Sequence, residues 1–549
     1  MSSTRGGEGF SNVAEHLPRM ARDRADALAL VFPEKRSGGG PRPYTKWTYA
    51  QLEEESSRIA QGLSQIGIGR GTRTVLMVRP SLPFFALTFG LFKLGAVPVM
   101  VDPGMGRKNL GECLGRAKPT AFIGVPEAHV ARALFGWARP TVTVNVMVGP
   151  RALALPFPGM HTLDAVRARG DASRFRMEAV GRDDVAAILF TSGSTGIPKG
   201  AVYRHGNFLA QVEAIREMYG IVPGEIDLPT FPLFSLFDPA LGMTTIIPDM
   251  NFTKPASVKG ENIAEAIADY GVTNMFGSPA VLDAVATWGV PRGAKFPTLR
   301  RVISAGAPVH PRILERFRKL LPDEARIHTP YGATESLPVA SIDDAEILGM
   351  ARPRTDAGEG ICVGRPVPSA HVEIIRIDEG PIARWDDALR VPRGEIGEIT
   401  AAGPQVTTHY FEDETSTAAH KIDHDGAVRH RIGDVGYFDA DGRLWFCGRK
   451  SHRLEWKGKT LFTEQVEGPF NAHPGVRRSA IVKGEGLVLF VQPLGPRGDA
   501  DQGRLTTELQ EIAKRLGLEL EIRLRASLPV DPRHNAKILR EQLAREVAP

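Results

Sequence analysis

One segment constrains this chain more than any other: LFTSGSTGIPKG, residues 189–200. It starts at the end of an apolar run, VAAILF (185–190), that reads as a buried strand. A loop of Gly, Ser and Thr follows, then one lysine, then a helix expected from about Asn207. Small residues let backbone N–H groups approach phosphate oxygens. Hydroxyls at Thr191, Ser192, Ser194 and Thr195 add donors, Gly193 and Gly196 leave the backbone bare, and Lys199 supplies positive charge. A Walker A loop is excluded, because that pattern needs Gly-Lys-Ser or Gly-Lys-Thr and Pro198 stands where its second glycine would be.

A strand that feeds such a loop belongs to a larger alternation. Short apolar runs at 75–80, 97–103, 121–125 and 141–147 read as buried strands, and 261–270 and 310–321 as amphipathic helices, with Ile263, Ala266, Ile267 and Tyr270 at helical spacing. This implies α/β subdomains with largely parallel sheets. After about Gly364 the texture changes to short strands and turns, 371–377, 394–400 and 436–448, with the hairpin signal DADG at 439–442. The last hundred residues return to α+β: two strands within 478–494 around a turn at 484–486, and a helix over 505–518. The expected organisation is a large body, residues 1–449, with a β-rich part at about 364–449. A small, mobile α+β lid, residues 450–549, follows the charged run GRKSHR (448–453). Segments 1–9, 35–42 and 495–504 are expected to be mobile surface connections.

Composition narrows the function. Over 549 residues the net charge is only +5, too dilute for a nucleic-acid footprint without clustering. Hydrophobic residues at 42% exclude a disordered chain. Cys113, Cys362 and Cys447 are odd in number and far apart, so they form neither a disulfide framework nor a CxxC site, which favours a reducing, cytoplasmic compartment. The start MSSTRGGEGF lacks the apolar core of a signal peptide. The most apolar stretch, 83–101, carries Lys93 and Pro98 and reads as a buried helix followed by a strand, not as a transmembrane segment.

The phosphate loop and four further motifs, in order, resemble the adenylate-forming superfamily of acyl-CoA synthetases, luciferases and peptide-synthetase adenylation domains. SAGAPV (304–309), with Ala305, Gly306 and Ala307, resembles the segment beside the adenine and acyl sites. YGATES (331–336) resembles the segment that sets an aromatic, Tyr331, at adenine, Gly332 beside it, Thr334 at phosphate and Glu335 on magnesium. GEIGE (394–398) with RIGDVGYFDADGRLWFCGR (431–449) resembles the later motifs, implying Asp434 on both ribose hydroxyls and Arg449 in support. NAKILR (535–540) resembles the segment bearing a mobile catalytic lysine, here Lys537. The resemblance implies ATP and Mg²⁺, with Lys199, Thr334, Glu335 and Lys537 as the catalytic set. The chemistry agrees: in-line attack at an α-phosphate builds charge on phosphoryl oxygens and asks the protein mainly for aimed cations.

The departures from the family pattern fall on the second half-reaction. After Gly448-Arg449 come Lys450, Ser451 and His452 instead of an acidic pair; Glu455 stands where a lysine is common; Asn535-Ala536 precede Lys537 instead of Ser/Thr-Gly. These changes put a thioester step in doubt, and no CoA is expected. The acyl segment FPLFSLFDPALGMTTIIPDMN (231–251) is also unusual. Ser235 replaces a histidine, and Asp238 lies among Phe234, Phe237 and Leu241, either on a substrate hydroxyl or in a turn before Pro239. His205 either lines the acyl site or caps a helix; Phe276 and Gly277 of NMFGSPA complete the expected acyl wall. Together these strings resemble the branch of the superfamily that works in bacterial long-chain olefin biosynthesis. That branch adenylates a 2-alkyl-3-hydroxy fatty acid, whose own hydroxyl closes a β-lactone, beside thiolase-like, reductase and decarboxylase enzymes. The competing readings are a long-chain acyl-CoA or acyl-AMP ligase and a non-catalytic acyl- or nucleotide-binding scaffold. His452, His534 and Asp238 are the candidate bases for the hydroxyl proton.

Overall fold

The computed structural model describes residues 10–36, 38–190, 198–495, 498–531 and 537–548. Two large sheets form the body. The first has seven strands and carries the phosphate loop. Its order runs His161–Thr162, Val144–Met147, Ala121–Gly124, Arg73–Met77, Val97–Met100, Val185–Phe190 and Gly200–Arg204, parallel throughout except for the last pair. The strand before the loop segment and the strand after it are therefore neighbours.

The second sheet has fourteen strands. Ile226–Pro229, Asn274–Phe276, Arg301–Ile303 and Arg326–Ala333 run parallel at its centre. The hairpin from Arg326–Ala333 to Ser336–Asp343 reverses direction, and antiparallel pairing continues through Ile361–Pro366 into the β-rich strands. The β-rich part is thus the antiparallel half of one continuous sheet, because Ser336–Asp343 has a partner on both edges.

Helix Leu82–Lys93 is buried on every side, packed beside Tyr49–Ser64, as its all-round apolar sequence requires. Its one charge is satisfied: Lys93 Nζ donates to Ser56 Oγ and Ser57 Oγ, both at 2.8 Å, and pairs with Glu53 Oε2 at 2.8 Å, while burial lowers its pKa to about 8. No helix among the described residues is long and apolar enough to cross a membrane.

From Leu454 onward the described strands pair only with one another: Leu454–Trp456 with Lys459–Leu461, and Val476–Lys483, Leu487–Pro493 and Leu520–Leu524 in a three-stranded sheet. Two apolar clusters are built almost wholly within this stretch. It meets the body through polar groups and close backbone packing. Arg312 donates to the carbonyls of His473 (2.7 Å) and Val476 (2.8 Å), and Gly468 lies against Thr355, where a Cβ would stand 2.3 Å from the carbonyl oxygen. At the junction Gly448 has φ +136° and packs on Thr463, a conformation and a gap that only glycine meets.

Two expected surface connections differ. Segment 499–504 is the first part of helix Asp499–Arg515, and segment 35–42 is tied down, because Arg42 pairs with Asp249 (2.8 Å) and Glu265 (3.0 Å). Residues 1–9 lie outside the described residues.

Candidate active site

A cavity of about 3090 Å³ runs between the two sheets and the C-terminal part. Lys199, Ala305, Gly306, Ala307, Tyr331, Gly332, Thr334, Glu335, Asp434, Arg449 and Lys537 all line it. Residues separated by more than three hundred positions therefore face one space. Thr191, Ser192, Gly193, Ser194, Thr195 and Gly196 lie outside the described residues, as do His534, Asn535 and Ala536.

At the phosphate end, the tight hairpin between Arg326–Ala333 and Ser336–Asp343 presents Thr334 and Glu335. It can close because Gly332 lacks a Cβ, which would stand 2.6 Å from the Ser336 carbonyl. Backbone bonds fix it further: Thr407 N–H (2.9 Å) and Oγ1 (3.2 Å) donate to the Glu335 carbonyl, and the Tyr203 hydroxyl donates to the Thr334 carbonyl. Tyr410 Oη donates to Glu335 Oε1 at 2.7 Å, and burial raises that phenol's pKa. The Tyr410 ring also lies under two ammonium groups, Lys199 Nζ at 5.4 Å and Lys421 Nζ at 5.6 Å. Lys199 Nζ sits 3.2 Å from His420 Nε2, whose Nδ1 faces the Ser416 carbonyl at 2.9 Å; His420 thus holds its free lone pair toward the lysine. Burial lowers the Lys199 pKa against the pull of Glu335, and brings Lys421 to about 7.

At the ribose end, antiparallel pairing sets Asp434 directly opposite Arg449. Arg449 Nη1 lies 2.9 Å from Asp434 Oδ1, and the Tyr331 hydroxyl donates to Oδ2 at 2.6 Å. The Asp434 charge raises the Arg449 pKa, and burial raises that of Tyr331. Despite the ion pair, Oδ1 is buried without an aligned hydrogen bond among the described residues. That leaves an acceptor of the kind a ribose hydroxyl would satisfy.

At the apolar end, Phe234, Phe237 and Phe276 line the cavity, with Phe234 and Phe276 stacked at 4.3 Å. Four expected acyl residues do not. The 3₁₀ turn Phe234–Phe237 places its two Phe rings on the cavity side and turns Ser235 inward, where its hydroxyl bonds the Pro232 carbonyl. Asp238 starts the next helical turn and points into the protein, accepting from Thr245 Oγ1 at 2.8 Å. Gly277 packs against Leu282, where a Cβ would stand 2.7 Å away. His205 opens helix His205–Tyr219 fully buried; its Nδ1 accepts from the Val13 N–H at 3.2 Å, and burial lowers its pKa to about 4. It is a core histidine rather than an acyl wall or a cap. Of the candidate bases, His452 lines the cavity with Nε2 3.0 Å from Glu541 Oε1, and Asp238 does not.

Sequence reading missed Tyr410, His420, Lys421 and Thr407. They lie in a stretch without a local motif, and only the fold brings them beside Glu335.

Lys199 just after the glycine-rich segment, the Thr334–Glu335 hairpin and the buried Asp434–Arg449 pair thus face one cavity, an arrangement that fits an adenylate-forming enzyme. The chain belongs to the AMP-binding enzyme family, which it matches over residues 17–411. It is 47% identical to the olefin β-lactone synthetase of Xanthomonas campestris over 97% of both chains, and 48% identical to that of Stenotrophomonas maltophilia, again over 97% of both. Among solved structures, the anthranilate CoA ligase AuaEII in complex with anthranoyl-AMP superposes with a TM-score of 0.80 at 18% identity, covering 100% of this chain and 99% of that one, which shows the shared fold.

Proposed function

We propose that this protein is an AMP-forming ligase that converts a 2-alkyl-3-hydroxy fatty acid and ATP into a β-lactone, AMP and pyrophosphate. The observation that carries this reading is near-half identity, over almost the full length, to two olefin β-lactone synthetases. In the first step a carboxylate oxygen attacks the α-phosphorus and pyrophosphate leaves. In the second, the substrate's 3-hydroxyl attacks the acyl carbonyl, its proton is lost, and AMP leaves. A tethered nucleophile has an effective molarity of up to about 10⁵–10⁸ M in unstrained cases, so even heavy loss to ring strain leaves it competitive with CoA.

The residues divide by charge. Lys199 and Lys537 place cations on phosphoryl oxygens, and Thr334 adds a hydroxyl donor. Asp434 accepts from ribose through its unfilled oxygen, held by Arg449 and Tyr331. Phe234, Phe237 and Phe276 take alkyl chain. No cluster of three or more metal-ligating side chains occurs among the described residues, whereas Glu335 and Thr334 offer hard oxygens beside the phosphate end. That donor set fits Mg²⁺ held mostly by the nucleotide's own phosphates, where it would neutralise phosphate charge. Lys537 follows a lid that closes over the cavity, hinged near Arg449–His452. Three buried free thiols support a cytoplasmic setting, and so apolar a product calls for a decarboxylating enzyme to consume it.

The test is mass spectrometry of products after incubation with ATP, Mg²⁺, CoA and either the hydroxy acid or a plain fatty acid. The expected result is β-lactone from the hydroxy acid with CoA untouched, and no turnover beyond the adenylate for the plain acid. Robust acyl-CoA formation from either acid would replace this reading with that of an acyl-CoA ligase.

A further inference from the structure

Large apolar side chains exposed to water are concentrated in one stretch of this protein. Of nine such residues among the described ones, five lie between 130 and 155: Val130 (46% exposed), Leu134 (74%), Phe135 (46%), Leu153 (48%) and Leu155 (78%). Helix Pro126–Phe135 buries Ala128 and His129 against the first sheet and turns Val130 and Leu134, one helical turn apart, outward. The short turn Arg151–Ala154 brings Leu153 beside them along a groove of about 840 Å³. Clustered apolar exposure of this kind marks a contact surface.

Two observations identify what covers it. The first is charge. Arg79 and Arg107 line the groove, with the Arg107 guanidinium 5.2 Å above the Phe135 ring, and Lys108 and Arg151 are exposed alongside in sequence. The one acid lining the groove, Glu127, is spent on Arg79 at 3.1 Å, and no ion pair holds Arg107, Lys108 or Arg151 among the described residues. An apolar face rimmed by unpaired cations complements a bilayer, whose acyl region receives the leucines and whose phosphates receive the arginines. A second copy of this chain would instead set like charge against like across a two-fold axis. The second observation is continuity. Arg79, Arg107, Val125, Glu127 and Ala131 line both this groove and the large cavity, so the patch lies at a mouth of the candidate active site.

We infer that this face docks on an anionic lipid bilayer, as a peripheral surface and not a span. An apolar substrate or product could then pass between bilayer and cavity without crossing bulk water; docking itself does not depend on which acid is used.

The test is cosedimentation of the full-length protein with vesicles of phosphatidylcholine alone or with about one-third phosphatidylglycerol, at about 50 mM and about 500 mM NaCl. Binding to the anionic vesicles, weakened several-fold by salt, is expected. The double variant Leu134→Glu/Leu153→Glu should lose about a hundredfold in partition coefficient, since each buried leucine contributes about tenfold. Its turnover of a detergent-solubilised acid should equal wild type. Arg107→Gln/Arg151→Gln should keep the salt-independent part of binding and lose the rest. Failure of the wild type to sediment with either vesicle, or equal sedimentation of the leucine variant, would overturn the proposal. So would a solution dimer that the same leucine substitutions dissociate, which would assign the face to a second copy of the chain.

Discussion

Tyr410→Phe isolates one hydrogen bond at the phosphate end. Tyr410 is 3% exposed and Glu335 9%, and the phenol donates to Oε1 at 2.7 Å. Phe keeps the ring on which Lys199 and Lys421 rest, at 5.4 and 5.6 Å, so the cation–π contacts survive and only the hydroxyl is lost. A hydrogen bond to a charged acceptor contributes about 1.5–3 kcal/mol. If that energy holds the Glu335 carboxylate in place for the metal–nucleotide complex, its loss raises the Mg²⁺ concentration needed for half-maximal rate by about 10- to 100-fold. The rate at saturating Mg²⁺ should change far less, because the bond is present in ground and transition states alike. The assay is pyrophosphate release against Mg²⁺ at fixed ATP, with melting temperature measured in parallel. A Mg²⁺ dependence within about twofold of wild type, with unchanged melting, would show that Tyr410 does not position this carboxylate.

Further outcomes follow from other residues. Lys537→Ala should lower the adenylation rate by about 10²–10³ while nucleotide binding, followed by calorimetry, stays close to wild type. Near-normal acyl-AMP formation would remove Lys537 from the catalytic set. Tyr331→Phe leaves Asp434 Oδ2 without its donor at 2.6 Å and should raise the KM for ATP about tenfold with kcat little changed. For pH, the buried neutral His205 titrates at about 4 in the fold and at about 6.5 when unfolded, so its share of stability is intact above 6.5 and is lost as pH falls toward 4. Asp227 and Glu464, both raised to about 7, act in the opposite sense over the same range, so the measurement must be a difference. The stability gap between wild type and His205→Gln should shrink by up to about 1.4 kcal/mol per pH unit between 6.5 and 4, and a constant gap would refute the assignment.

The α/β body was legible because its strands are short apolar runs bounded by turns, and the DADG hairpin falls where Asp-Gly chemistry puts it, with Gly442 at φ +78°. The nucleotide end was legible because local motifs carry it. What escaped the sequence is what tertiary pairing creates. Tyr410 meets Glu335 from seventy-five residues away, and Lys421 and His420 join it from outside any local motif. Helix Asp499–Arg515 begins in a Gly- and Arg-containing stretch whose composition reads as loop, but its buried residues Leu505 and Leu509 anchor the whole length to the C-terminal sheet.

Asp238 shows how a sound physical argument can leave a partner open that only the fold supplies. A carboxylate among Phe and Leu side chains does require compensation, and a substrate hydroxyl would supply it. The chain supplies it from within. Asp238 and Asp227 share a hydrogen bond, Thr245 donates to the first, and Asn274 donates to the second, with Arg301 close by on Asn274 at 3.3 Å. Burial and the neighbouring carboxylate raise the Asp238 pKa, so the pair holds a proton between them and one negative charge, not two, remains in the interior. The cluster lies behind the turn that carries Phe234 and Phe237, one residue from the second ring. Its contribution to the cavity is therefore geometric: it fixes the back of a wall whose front is apolar. The hydroxyl of the substrate proposed above would therefore give its proton to an acceptor other than Asp238, and of the described candidates His452 lines the cavity.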